Sequence, residues 1–77
     1  MENFLSKNLK YLRELNGLTQ GEVAIKLRIN MRRYQRWEYG TSEPNIKELI
    51  KLAKLYKTTV DNLVLQDATT IYRIHSA

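Results

Sequence analysis

The stretch LTQGEVAIKLRINMRRYQRWEYG, Leu18–Gly40, decides the fold of this 77-residue chain. Thr19 and Glu22, three residues apart, form a capping box, in which side chains and backbone at the start of a helix bond reciprocally. The apolar residues that follow share one face of that helix: Val23, Ala24 and Leu27. The pattern therefore predicts a helix over about 20–27.

A second helix follows after a very short connection. Asn30 is a favourable N-cap, and Gly40 can end the helix by adopting the left-handed conformation. The predicted helix covers about 31–38 and is separated from the first only by the residues RIN. Two short helices joined by a tight turn are the parts of a helix-turn-helix motif.

Apolar residues spaced three and four apart predict further helices on both sides of this pair. They cover about 4–16, 46–56 and 60–65, and the loop before 46–56 contains Pro44. Five helices with short connections indicate a compact all-α domain over residues 1–65.

The tail, residues 66–77, interrupts the helical periodicity. Thr70, Tyr72 and Ile74 favour strands and would share one side of a strand. The tail is either frayed, or a strand or arm that pairs with a second subunit and serves in dimerisation.

The composition favours an anionic partner. Thirteen Lys and Arg against eight Asp and Glu give a net charge of +5 and a pI near 9.7, which suits nucleic acid or an anionic membrane surface. Simple solubility is the alternative. No stretch is long and apolar enough to span a membrane, and no signal-peptide pattern opens the chain, so a cytoplasmic location is expected by default.

The helix over 31–38 has two different sides. At about 100° per residue, Tyr34, Trp37 and Glu38 lie on one side. The other side carries groups suited to the major groove of DNA: Arg32, Gln35 and Arg36. Arginine can bond the O6 and N7 atoms of guanine, and glutamine the N6 and N7 atoms of adenine.

The same region carries five basic residues and no acidic one between Val23 and Trp37: Lys26, Arg28, Arg32, Arg33 and Arg36. A merely solvated face would interleave glutamate with the cations to gain i,i+4 pairs. The uninterrupted charge therefore favours a DNA-reading face.

Three segments together resemble the Cro/CI-type helix-turn-helix regulators, also called the XRE or lambda-repressor-like family. They are LKYLRELNGLTQGEVAIKL, RINMRRYQRWEYG and, after Pro44, LIKLAKLYKTTVDNL, and the resemblance covers about Phe4 to Leu65. It implies a lambda-repressor-like fold and a sequence-specific regulator of transcription, a repressor, that binds a double-stranded DNA operator as a homodimer.

The resemblance also implies roles for individual residues. Asn30, Met31, Arg32 and Arg36 fall where family members read base edges, and Gln35 joins them through its amide. Gln20 resembles the family's glutamine that contacts backbone phosphate and buttresses the helix over 31–38, the alternative being a surface amide. Arg33, Tyr39 and Thr41 fall where phosphate contacts are common, and Lys26 and Arg28 add cations close to the DNA. For Met31 a packing role is equally open. Arg13 and Glu38 match a salt bridge between the first and third helices, the alternative being two independent surface charges.

Two positions depart from the family pattern. Arg28 occupies the turn position that is often Gly, which implies a modest strain if it adopts positive φ. Tyr34 replaces the usual Ile or Val on the inward side, so its hydroxyl needs a partner or must reach solvent.

Other function classes are poorly supported. The single histidine, His75, lies in the tail, there is no cysteine, and no cluster has metal-ligand spacing. We therefore expect no catalytic residues, no metal and no cofactor. The alternative from a different class is a protein-interaction module, such as an antitoxin or anti-repressor, that binds a protein partner through this fold and the tail.

Overall fold

The computed structural model describes residues 3–72, which form six helices and no strand. In chain order they are α1 Leu5–Leu15, α2 Gln20–Leu27, α3 Met31–Tyr39, α4 Ile46–Leu55, α5 Val60–Val64 and α6 Ala68–Tyr72. The all-α prediction is confirmed, and the first five helices begin and end within one residue of their predicted bounds. None of the helices over 3–72 is long and apolar enough to cross a membrane.

The helix starts are set by side chains, as the sequence predicts. The hydroxyl of Thr19 accepts from the backbone N–H of Glu22 at 3.1 Å, and the Glu22 carboxylate accepts from the N–H of Thr19 at 2.8 Å. The side chain of Asn30 accepts from the backbone of Arg33 at the start of α3. Gly40 ends α3 with φ 79°. Local polar bonds thus fix both helices of the central pair.

All six helices contribute to the core. Its most deeply buried apolar side chains each expose at most 1% of their surface: Leu9, Val23, Tyr34, Trp37, Leu52, Leu63 and Ala68. The rings of Tyr34 and Trp37 meet edge to face, with centroids 5.9 Å apart. The hydroxyl of Tyr34 lies 3.2 Å from that of Tyr56, so its buried polar group has a partner.

The start of the tail is helical, and the strand that was one of its predicted forms is wrong for these residues: α6 covers Ala68–Tyr72. Asp67 caps this helix through bonds to the backbone and hydroxyl of Thr69, and the side chain of Lys7 pairs with Asp67. Ala68 is completely buried against the core. The intrinsic strand preference of the threonines is overridden by this capping and packing. The part of the prediction that concerns Ile74 lies outside the described residues.

Asn8 attaches this C-terminal segment to α1. It is fully buried, and the two hydrogens of its amide nitrogen are donated to the backbone carbonyls of Leu63 and Gln66, both at 2.7 Å, with that of Asn62 sharing one of them at 3.3 Å. Its oxygen accepts from the backbone N–H of Ala68 at 2.9 Å. One side chain therefore satisfies backbone groups of the α5–α6 connection that would otherwise be buried without partners.

Replacing Asn8 by alanine should lower the free energy of unfolding by about 2 kcal/mol, because it leaves buried backbone groups unsatisfied. Urea denaturation followed by circular dichroism measures the loss. Asn16→Ala is the matched control, since Asn16 is exposed and its side chain makes a single bond to the carbonyl of Leu12. Equal losses in the two variants would contradict a bracing role for Asn8.

Candidate DNA interface

Helix α3 presents its cations outward and its large rings inward. Tyr34 and Trp37 are buried, whereas Arg32 and Arg36 are exposed and Met31 exposes 48% of its surface. The segregation predicted from helical spacing is therefore present in three dimensions. The inward rings leave this helix little freedom to rotate, so the exposed guanidinium groups project from a fixed platform.

The turn between α2 and α3 is made by Arg28 in the left-handed conformation, with φ 59° and ψ 44°. Its backbone N–H donates to the carbonyl of Ile25, and that of Ile29 donates to the carbonyl of Ala24. These bonds close the end of α2 in the way that a glycine usually allows. A modest backbone strain is retained at Arg28, and its side chain is exposed beside the interface.

An ion pair joins α1 to α3. The Nε of Arg13 lies 2.6 Å from Oε2 of Glu38, and its Nη2 lies 3.1 Å from Oε1. The two side chains expose only 12% and 2% of their surfaces. Arg13 also donates to the carbonyl of Leu18, in the loop before α2. This is a forked, shielded contact and not a pair of independent surface charges.

Glu38 extends this contact into a chain of hydrogen bonds that joins α1, α2 and α3. Its Oε1 accepts from the amide nitrogen of Gln20, at 3.1 Å. The amide oxygen of Gln20 in turn accepts from the amide nitrogen of Gln35, at 3.0 Å. Gln20 thus braces a side chain of the outward face of α3. The family resemblance implies that Gln20 supports this helix, but the sequence does not identify Gln35 as its partner, because the two glutamines are far apart in the chain.

The environment keeps Glu38 ionised. Burial is the largest single influence and would raise its pKa, but hydrogen bonds from Arg13, Tyr34 and Gln20 together lower the pKa below its usual value. Burial raises the pKa of Tyr34 strongly, and raises that of Tyr56 to about 12. Both phenols therefore stay protonated near neutral pH and remain available as donors.

Arg33 makes contacts that the sequence does not reveal. Its Nε and Nη2 donate to the carboxylate of Glu48 on α4, at 2.9 and 2.8 Å. The guanidinium carbon lies 5.5 Å from the centroid of the Trp37 ring, within the range of a cation–π contact. The arginine assigned by resemblance to a phosphate contact is therefore engaged within the domain.

The remaining residues of the expected phosphate set are mostly exposed. Exposed side chains are those of Lys26, Arg28, Tyr39 and Thr41, and Gln20 is half-buried. Two lysines of α4, Lys51 and Lys54, share a shallow groove with Lys26 and Arg28. Sequence reasoning missed these lysines because they lie on a separate helix, and they enlarge the basic surface at the α2–α3 turn.

Residues 3–72 contain no group of three or more His, Asp or Glu side chains placed to hold a metal ion. The polar chemistry of this surface is hydrogen-bond donation by guanidinium and amide groups, from a rigid helix next to a tight turn. Such an arrangement can bind phosphates and the edges of bases.

Residues 9–63 match the helix-turn-helix family. The chain belongs to the Cro/CI-type branch of this family. The match contains α2, the Arg28 turn and α3, together with the Arg13–Glu38 pair that braces them.

Several characterised and uncharacterised regulators are similar in sequence. The HTH-type transcriptional regulator ImmR of Bacillus subtilis is 36% identical over 63 residues, which are 82% of this chain and 50% of ImmR. The uncharacterised HTH-type regulator YqaE of the same organism is 37% identical over 59 residues, or 77% of this chain and 51% of YqaE. The cryptic phage CTXphi repressor RstR of Vibrio cholerae is 33% identical over 66 residues, 86% of this chain and 60% of RstR. The chain thus spans about half the length of the first two relatives.

Two solved structures share the fold. A transcriptional regulator from Listeria innocua superimposes with a TM-score of 0.78 at 24% identity, over 99% of this chain and 77% of that one. The P22 c2 repressor, solved with a synthetic operator, superimposes with a TM-score of 0.75 at 21% identity, over 82% of this chain and 94% of that one. At sequence identities below 25%, the structural similarity establishes only that the helices are arranged in the same way.

Replacing Glu38 by alanine should destabilise the domain by about 3 kcal/mol, because it leaves the shielded Arg13 charge without its partner. Thermal and urea unfolding measure the change. Glu14→Ala serves as the control, since Glu14 is an exposed carboxylate on α1. Similar losses in both variants would show that the bridge contributes nothing beyond a surface charge.

The same carboxylate makes stability depend on pH with a definite sign. Because its pKa is lowered in the folded state from the ordinary 4.5, its contribution is fully present above that value and is lost as the pH falls below it. The difference in unfolding free energy between the wild type and Glu38→Gln should therefore be constant above about pH 5 and shrink as the pH falls toward about pH 3. A difference that stays constant over this range would exclude the linkage.

Proposed function

We propose that this chain is a sequence-specific, double-stranded DNA-binding regulator of transcription, a repressor, that reads the major groove with α3. The observation that carries this proposal is the segregation of α3 into buried rings and exposed donors. Related chains described as HTH-type regulators, and one as a phage repressor, support it. The protein-interaction alternative receives no comparable support from them.

In this proposal the base-reading set is Asn30, Met31, Arg32, Gln35 and Arg36. Arg32 and Arg36 are the strongest members, because a guanidinium group can donate two bonds to one guanine. Gln35 already donates one N–H to Gln20, which orients its amide and leaves the oxygen and the second N–H for a base. Met31, at the start of α3, would contact a thymine methyl group.

The phosphate-binding set positions α3 without reading sequence. It consists of Gln20 at the N-terminus of α2, where backbone N–H groups favour anions, and of exposed side chains around the interface: Lys26, Arg28, Tyr39 and Thr41. Arg33, the remaining member expected from the sequence, is considered separately below because of its bond to Glu48.

We also propose that the protein binds its operator as a homodimer, on two half-sites about one helical turn apart. A single module buries limited surface on DNA, so a second copy raises the affinity. Leu65, directly after α5, exposes 59% of its surface and is the apolar side chain nearest the tail. The contact would involve α5, the segment 66–77, or both.

The dimer proposal predicts that Leu65→Glu weakens self-association while leaving the helical content unchanged. Sedimentation equilibrium, with and without operator DNA, measures the association. Leu15→Glu is the control, because Leu15 is another exposed leucine, 41% accessible, on α1. Truncation after residue 65 is a less selective test, since it also removes Ala68 and two of the partners of Asn8. Unchanged association in Leu65→Glu would remove this side chain from the contact.

Selection of bound duplexes from a random DNA pool tests the proposed function directly. Recovery of one symmetric sequence, with half-sites spaced by about a helical turn, is the expected result. A wild-type protein that retains no sequence preferentially would overturn the proposal. A stoichiometric protein partner found by native mass spectrometry, in the absence of any selected duplex, would favour the interaction-module alternative.

On the selected duplex, Arg32→Ala and Arg36→Ala should each weaken binding by about 1–3 kcal/mol and relax the preference at particular base pairs. Lys26→Ala should weaken binding to all sequences alike and reduce the slope of log K against log salt by about one. Fluorescence anisotropy at several salt concentrations separates the two patterns. A uniform loss in all three variants would mean that the arginines contact phosphates.

A further inference from the structure

Arg33 lies on α3 but is bonded to a partner inside the domain. Both of its bonds to the Glu48 carboxylate are short, 2.9 and 2.8 Å, and its guanidinium group faces the ring of Trp37. The side chain of Glu48 is only 14% exposed, whereas that of Arg33 is 46% exposed. The carboxylate is therefore largely shielded from solvent, whereas the arginine that it binds is half-exposed.

Glu48 is itself held at the start of α4. Its Oε1 accepts from the backbone N–H of Asn45 at 2.9 Å, and its own backbone N–H donates to the side chain of Asn45 at 2.8 Å. The bond from Arg33 is thus anchored to a capping box and not to a mobile surface carboxylate. The carboxylate that Arg33 binds is therefore fixed in position relative to the first turn of α4.

Two polar contacts connect α3 to α4, and they lie at opposite ends of α4. Arg33 reaches its N-terminal turn, and the hydroxyl of Tyr34 meets that of Tyr56 just beyond its C-terminal end. Because the two contacts start from consecutive residues of α3 and reach opposite ends of α4, they restrain the rotation of α3 about its own axis. That rotation decides which base edges Arg32 and Arg36 can reach.

A phosphate contact by Arg33 would have to replace this arrangement. The guanidinium fork would exchange one anion for another, and the Glu48 carboxylate would be left beside the DNA phosphates without its partner. The carboxylate, whose side chain is only 14% exposed, would then keep its bond from the backbone of Asn45 but lose the cation that balances its charge.

We infer that Arg33 is a positioning residue, which holds α3 against α4 through Glu48 and does not bind a phosphate itself. This inference rests on the proposed function and replaces the phosphate role expected from the family resemblance. It divides the arginines of α3 by role: Arg32 and Arg36 contact bases, and Arg33 positions the helix.

The test compares Arg33→Ala, Glu48→Gln and the double variant on the duplex selected for the wild type. A brace predicts that each single variant weakens specific binding by about two- to fivefold, as for the loss of a half-exposed ion pair. The double variant should lose no more binding affinity than the single variant that binds less tightly. The slope of log K against log salt should stay at the wild-type value in all three.

A specificity measurement adds a second readout. The ratio of affinities for the selected duplex and for one with a substituted base pair should fall in Arg33→Ala and Glu48→Gln, because α3 is then held less firmly against α4. Loss of a phosphate contact would leave that ratio unchanged. Glu43→Gln is the matched control for removing an acidic charge near the interface, since Glu43 is exposed and bonds only Asn3 among the described side chains.

Two results would overturn the inference. One is a salt slope reduced by about one in Arg33→Ala together with tighter binding in Glu48→Gln than in Glu43→Gln, the pattern of a released phosphate contact. The other is independent of DNA: additive effects of Arg33→Ala and Glu48→Gln on urea unfolding would show that the two side chains are not coupled. A wild type without any selected duplex would instead refute the proposed function, and with it the role of Arg33 in recognition.

Discussion

The carboxylate of Glu38 is the contact on which the arrangement of the first three helices depends. An ionised group that exposes only 2% of its surface is tolerated only where donors replace its water. Those donors come from different parts of the fold, Arg13 on α1 and Gln20 on α2, so Glu38 can be satisfied only when all three helices are in place. This requirement makes the geometry of the helix-turn-helix specific, even though a shielded ion pair adds little net stability over an apolar contact.

The outward face of α3 follows from the same constraint. Once Tyr34 and Trp37 are buried and Glu38 is bonded, the 3.6-residue period leaves Arg32 and Arg36 no position except the surface. Gln35 is then oriented from behind by Gln20. In the proposed function, stability and recognition are therefore properties of one helix whose two sides serve different purposes, which accounts for a segment rich in both arginine and aromatic residues.

Patterns among residues close together in the sequence predicted the helices, because capping and helical spacing depend on such residues. The capping pairs and apolar spacings gave five helices to within one residue, and the spacing within α3 separated its rings from its cations. Contacts between distant segments were visible only where the family resemblance supplied them, as for Arg13 and Glu38. The Gln20–Gln35 bond, the Arg33–Glu48 pair and the burial of Ala68 depend on how helices are placed in space, and neither composition nor periodicity encodes that placement. The strand preference of Thr69 and Thr70 was overridden for the same reason, because Asp67 caps α6 and Asn8 receives its first N–H.

Arg33 shows why charge alone is an incomplete guide to a DNA interface. The sequence places it in an unbroken basic run, and its exposed position would suit a phosphate. Its short bonds to Glu48, however, neutralise its charge within the domain, while Arg32 and Arg36 have no acidic partner among the ion pairs of residues 3–72. An arginine that has exchanged its water for a fixed carboxylate must give up that carboxylate before it can bind an anion, whereas a solvated arginine gives up only water and counterions. The difference in what each must lose, more than the number of positive charges, determines which arginines of α3 are free to meet DNA.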